Sequence, residues 1–163
     1  MKQKIVVLVG LPGAGKSTWL AQKGIHAIST DQIRAILSDD ATNQNIHARV
    51  FAAARYLLRQ RLAIGRPESY VDATHLTPAE RQPYIEIARR NGCEIEALFF
   101  DTPVEECIRR NAARDRVVPP DVIQAMAARL RIPELAEGFS RINSIHADRS
   151  SDPYVSGPES RSY

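Results

Sequence analysis

Apolar and polar positions change period several times along the chain, and each change marks an element. Ile5-Val6-Val7-Leu8-Val9 is an unbroken aliphatic run that predicts a strand. Residues 18–23 suit a short helix and residues 25–29 a second short strand. Residues 30–37 read as a helix with Thr30 or Asp31 at its N-cap. After a polar turn at 39–45, a long helical stretch over about 45–64 carries Ile46, Val50, Ala54, Leu57, Leu58 and Leu62 on one face. Gly65-Arg66-Pro67 stops it, and Arg55 and Arg59, one turn apart on another face, read as solvated. Ser69-Tyr70-Val71-Asp72 gives a third strand ending in a carboxylate. Thr77-Pro78-Ala79-Glu80 is a capping box with proline at N1, opening a helix that runs to Arg90 and closes at Asn91-Gly92. Residues 94–100 form the fourth strand, followed by Asp101, and Thr102-Pro103-Val104-Glu105 repeats the helix start signal for a helix to about 113. The run 114–120 breaks regular structure, 121–130 resumes a helix, and 132–147 holds a turn and a last strand near 141–147. Strands alternating with helices predict an α/β domain with a mainly parallel sheet.

Between the first strand and first helix lies Gly10-Leu11-Pro12-Gly13-Ala14-Gly15-Lys16-Ser17-Thr18. This satisfies the P-loop pattern G-x-x-x-x-G-K-[ST] in its required strand–loop–helix context. Glycines let the backbone wrap a phosphate so that successive N–H groups point at its oxygens, and the helix N-terminus adds its positive dipole end. Gly13, Ala14, Gly15, Lys16, Ser17 and Thr18 are therefore candidates for holding a nucleoside triphosphate, with Lys16 reaching the β- and γ-phosphates and Ser17 on Mg²⁺. The fold expected is a P-loop NTPase-like three-layer domain over 1–147, with a small helical lid over about 109–131. Residues 148–163, dominated by Ser, Pro, Gly and charge, are expected to form a disordered tail.

Composition adds little to this and excludes some classes. The length of 163 residues suits one domain with a real core. No apolar run approaches a membrane span or a signal peptide, so a cytoplasmic protein without membrane contact is expected. Cys93 and Cys107 share no metal-ligand spacing and read as reduced, small apolar residues. The net charge of +3 permits an anionic partner without demanding one. Arginine outnumbers lysine 18 to 4, which suits bidentate phosphate binding but follows equally from a GC-rich genome.

Three groups of residues could carry a reaction on the bound phosphate. Asp31 and Arg34, three apart, share a face at the start of a helix. A carboxylate there can accept the proton of an attacking hydroxyl, and the cation can keep it ionised and hold a phosphate of the acceptor. The plainer alternative is an N-cap aspartate followed by a surface arginine. Asp72 and Asp101 both end strands; Asp72 leads into a loop and is favoured as the Mg²⁺ partner, whereas Asp101 borders a capping sequence. His75, in the loop after Asp72, reads as a satisfied side chain rather than a substrate contact. Arg109, Arg110, Arg114 and Arg116 cluster near a Pro-terminated break, where arginines can close over phosphates and neutralise charge growing in the transition state. A basic helix C-terminus offsetting its dipole is the alternative.

Taken together these segments resemble the polynucleotide 5′-kinase branch of P-loop kinases, found in bacteriophage and bacterial end-healing enzymes. The likeness runs over about 4–130. Its carriers are the P-loop through Trp19, Asp31-x-x-Arg34, Asp72-Ala73-Thr74-His75-Leu76-Thr77-Pro78, Phe100-Asp101-Thr102-Pro103, and Arg110-Asn111-Ala112-Ala113-Arg114 leading to Val118-Pro119. The family's Asp-Thr-Asn run stands here as Asp72-Ala73-Thr74. The resemblance implies a general base at Asp31, an acceptor-phosphate arginine at Arg34, and lid arginines at Arg110 and Arg114 with Arg116 an extra candidate. It implies ATP as donor with Mg²⁺, and a nucleic-acid 5′ end as acceptor, without an obligate protein partner. A small-molecule acceptor (metabolite, antibiotic or nucleotide sugar) and a nucleotide-dependent regulatory module are the other readings of the same residues.

Overall fold

A computed structural model describes residues 2–114 and 117–146. Its elements follow in the order β1 (Lys4–Val9), α1 (Lys16–Lys23), β2 (Ile28–Ser29), α2 (Thr30–Ser38), α3 (His47–Ala63), β3 (Glu68–Asp72), α4 (Pro78–Asn91), β4 (Glu94–Asp101), α5 (Val104–Ala112), α6 (Pro120–Arg129), a 3₁₀ turn (Leu135–Glu137) and β5 (Arg141–His146). The strands lie in the order β2-β3-β1-β4-β5, all pairs parallel. The central strand β1 is therefore flanked by β3 and β4, and the loop leaving its carboxyl end opens beside both neighbours. That is where ligands gather in open parallel sheets.

Alternation along β1 divides the core into two layers. Ile5, Val7 and Val9 face α3 and α4, meeting Val50, Ala54, Leu58, Tyr84 and Ala88. Val6 and Leu8 face the other way, toward Trp19 and Leu20 of α1, Cys107 of α5 and Ile123 of α6. The result is the expected three-layer sandwich with a P-loop kinase-like fold. No helix among the described residues is long and apolar enough to cross a membrane.

Three local expectations need correction. The second strand is only Ile28–Ser29, because α2 begins at once after it. Its N-cap is neither Thr30 nor Asp31 but Ser29, whose hydroxyl accepts from the Gln32 N–H at 3.3 Å. Leu57, assigned to the buried face of α3, is 43% exposed. The stripe Val50, Ala54, Leu58 and Leu62 turns by about 40° at each step of four, so the buried face drifts away from Leu57. Both cysteines are free thiols, with Cys107 fully buried, and residues 147–163, including the expected tail, lie outside the described residues.

Candidate active site

Two glycines give the P-loop its shape. Gly13 (φ 81°) and Gly15 (φ 106°) both adopt positive φ, which aims consecutive N–H groups into one concavity. Gly13 is required twice over, because a Cβ there would collide with the Cys107 carbonyl oxygen of α5. Gly15 caps α1, so Lys16 is the first helical residue and the loop's amides lie at a helix N-terminus. Thr102, expected to cap α5, instead donates its hydroxyl hydrogen to the Ala14 carbonyl at 2.9 Å, and the N-cap position falls to Pro103. The P-loop is thus held from beneath by the β4–α5 junction. It is also tied to the loop after β3, since the Gly10 N–H donates to the Thr74 carbonyl at 3.0 Å.

Around this loop is a cleft of about 530 Å³. Gly13, Ala14, Gly15, Lys16, Ser17, Thr18, Asp31, Arg34, Asp72, Arg110 and Arg114 all line it, so the structure gathers these candidates into one place. Lys16 is buried, and its ammonium donates to the Gly10 and Leu11 carbonyls at 2.7 and 2.9 Å. Burial pushes its pKa down, against the attraction of Asp72, the largest opposing charge. The Asp72 carboxyl is pushed up by burial and further by the Asp31 charge, with Lys16 opposing. Asp101 is exposed, lies 3.3 Å from His146 and does not line the cleft.

Asp31 sits in the first turn of α2, half-exposed, 3.6 Å from the Arg34 guanidinium. With Ser29 in the cap, Asp31 has no capping duty. Arg34 is not a surface arginine: it is 4% exposed, and its other amino group lies 3.4 Å from the His47 ring nitrogen. The N-cap-and-surface-arginine alternative therefore does not describe this pair.

The arginines separate. Arg110 reaches the cleft, its guanidinium 3.3 Å from where a Cβ on Gly15 would stand, while also bonding Glu106 at 3.0 Å. Arg114 lines the cleft and is close enough for its charge to be felt by both Lys16 and Asp72. Arg109 faces solvent in a bidentate pair with Glu106. Arg116 lies outside the described residues.

Two residues support the site from behind, His75, read from the sequence as a satisfied loop histidine, and Arg81, which spacing does not reveal. His75 is 1% exposed with positive φ (47°), and its Nδ1 contacts the Leu8 carbonyl at 2.5 Å. Burial lowers its pKa to about 4. Arg81 is fully buried; it donates to the His75 carbonyl at 2.7 Å and forks onto Glu137 at 2.8 and 3.0 Å. Together they pin the loop that follows Asp72. Nothing local in the sequence links Arg81 to a glutamate 56 positions away.

Two side chains at the cleft could hold a magnesium ion. The Ser17 hydroxyl and Asp72 carboxylate are hard oxygen donors on the cleft wall. Among the described residues no group of three or more His, Cys, Asp and Glu converges on one point, so the remaining ligands would be phosphate oxygens and water.

Comparison with known proteins gives the family and a set of relatives. The AAA_33 family (AAA domain) matches residues 5–133. The chain is 29% identical to human L-seryl-tRNA(Sec) kinase over 101 residues, covering 61% of this chain and 29% of that protein. It is 25% identical over 151 residues to the bifunctional polynucleotide phosphatase/kinase of Schizosaccharomyces pombe, covering 88% of this chain and 33% of that one. The chain thus spans about a third of the length of each of these two relatives. In fold it is similar to the APS kinase of Mycobacterium tuberculosis solved with AMPPNP and APS, with a TM-score of 0.59 and 21% identity, over 94% of this chain and 93% of that one.

Proposed function

The chain belongs to the AAA_33 (AAA domain) family of P-loop kinases, and from that premise we propose that it moves the γ-phosphate of ATP to the 5′-hydroxyl of RNA or DNA. The observation that carries this reading is the one cleft that the P-loop, Asp31, Arg34, Arg110 and Arg114 line together. That arrangement provides a donor cradle, a base for an alcohol, and positive charge in one space. The polynucleotide acceptor is supported by the S. pombe relative, whose name specifies a polynucleotide, and by the resemblance of the five ordered segments.

In this mechanism the triphosphate lies on the N–H groups of residues 13–18. Lys16, with two of its three protons on loop carbonyls, turns the third toward the β- and γ-phosphates. Asp31 accepts the proton of the acceptor hydroxyl as its oxygen bonds to the γ-phosphorus and the bond to the β-phosphate oxygen breaks, releasing ADP. Arg34, paired with Asp31 at 3.6 Å, faces the acceptor's own phosphate. Arg110 and Arg114 meet the charge that spreads over the transferring oxygens. Ser17 and Asp72 would hold Mg²⁺, which neutralises charge on the β- and γ-oxygens when bound.

A second acceptor has a specific observation behind it: the human relative is named for L-seryl-tRNA(Sec). Incubation with γ-labelled ATP and Mg²⁺ separates the cases. Label is expected on 5′-hydroxyl oligonucleotides, with transfer weakening as salt rises because phosphate contacts release counterions. Label on seryl-tRNA or on small alcohols alone, with every oligonucleotide unreactive, would contradict the polynucleotide acceptor. Nucleotide binding without transfer to any hydroxyl would contradict the kinase reading.

A further inference from the structure

Asn111 stands at the end of α5, 1% exposed, and neither spacing nor the comparisons give it a task. Its side-chain amide bonds one peptide partner in both directions. Its Nδ2 donates to the Val118 carbonyl at 2.6 Å, and its Oδ1 accepts from the Val118 N–H at 3.2 Å. A carboxamide has the donor and acceptor of a peptide unit, so this pair copies the double hydrogen bond of two opposed backbone residues. The chain therefore leaves α5 and returns before α6 at one fixed place. Between those points Arg114 enters the cleft, its own N–H donating to the Asn111 carbonyl at 3.1 Å. Asn111 is also against the phosphate loop, its Cβ 3.3 Å from where a Cβ on Gly13 would stand.

We infer that Asn111 is a positioning residue for phosphoryl transfer: its clasp on Val118 sets where the Arg114 guanidinium stands relative to the P-loop. The inference rests on the kinase reading, in which Arg114 meets charge in the transition state. Arg110, the other cleft arginine, lies on α5 itself and takes its place from its bond to Glu106 instead. Loss of the clasp should therefore act through Arg114 and spare ground-state binding.

A double-mutant cycle tests this on the full chain. Arg114→Ala is expected to lower kcat by roughly 10³-fold, the lower range for transition-state arginines. Asn111→Ala is expected to lower kcat by about tenfold or more with KM for ATP within about threefold, because the interaction it orients is made in the transition state. In the Arg114→Ala background the same Asn111→Ala change should alter kcat by less than about threefold, the non-additivity of coupled residues. A tenfold loss in both backgrounds would mean a merely structural asparagine and would overturn the inference, as would an Asn111→Ala enzyme with wild-type kcat. Asn111→Asp keeps the shape of the side chain and the acceptor for the Val118 N–H but removes the Nδ2 donor to the Val118 carbonyl. It should reproduce the kcat loss and the non-additivity even if Asn111→Ala fails to fold. If Arg114→Ala leaves kcat unchanged while transfer persists, the role of Arg114 falls and this inference with it. If wild type transfers to no hydroxyl, the kinase reading itself has failed.

Discussion

His75 shows how a residue read one way in sequence acquires another weight in the fold. It was expected to be a satisfied loop histidine. Its Nδ1 is satisfied by the Leu8 carbonyl, but Nε2 is buried with no partner, with the Tyr84 ring edge-on at a centroid distance of 5.2 Å. Burial holds the ring neutral, with a pKa of about 4 against 6.5 when unfolded. The unfolded chain therefore takes up this proton first as pH falls. The stabilisation is complete above about 6.5 and lost progressively toward about 4, a difference of roughly 3 kcal/mol. Urea titrations between pH 4 and 7 should show that slope, and His75→Asn, which keeps a donor for Leu8, should flatten it. An unchanged slope in the variant would show that other groups set it. At this scale the sequence was most readable where chemistry is local. Lys16 and Ser17 were placed by the P-loop pattern alone. Asp31 was placed correctly on α2 but assigned a possible capping duty that Ser29 performs, because several hydroxyl and acidic residues in a row all suit an N-cap.

Among the elements, the β4–α5 junction diverges most from its sequence signal. Thr102-Pro103-Val104-Glu105 has the form of a capping box, yet the threonine turns away from its helix and bonds the Ala14 carbonyl. Two uses of one hydroxyl compete here, and the bond to the buried P-loop carbonyl wins. Replacing Thr102 by Val keeps the shape and leaves that carbonyl unpaired. The expected cost is about 1–3 kcal/mol, seen as a melting point lowered by several degrees, with a several-fold rise in KM for ATP as the loop loosens. A variant with wild-type KM and melting point would show that the bond does not brace the loop. The long helices and strands were legible because each carries several apolar positions in a fixed period. The two-residue β2 was overestimated because a strand that short has no period to read. The clasp of Asn111 on Val118 was hidden, since a single asparagine before a turn carries no signal of its partner seven positions on.

For the whole molecule, alternation of strands and helices established the α/β class. The order β2-β3-β1-β4-β5 was not readable, because crossovers leave no local mark. That order sets β3 beside β1, which brings Asp72 to Lys16, and pairs β2 with β3, which brings α2 and Asp31 to the same cleft. The Arg81–Glu137 pair, joining α4 to the turn before β5, is a second consequence of packing that no window of sequence contains. The account rests on this convergence: a carboxylate on α2 and the loop after β1 line one cleft. Asp31→Asn tests it most directly, with nucleotide affinity measured by calorimetry and transfer measured with labelled ATP on the same preparation. The account predicts ATP affinity within about threefold of wild type and transfer reduced by roughly 10²–10⁴-fold, the range for loss of a positioned base. Transfer at the wild-type rate in that variant would contradict it.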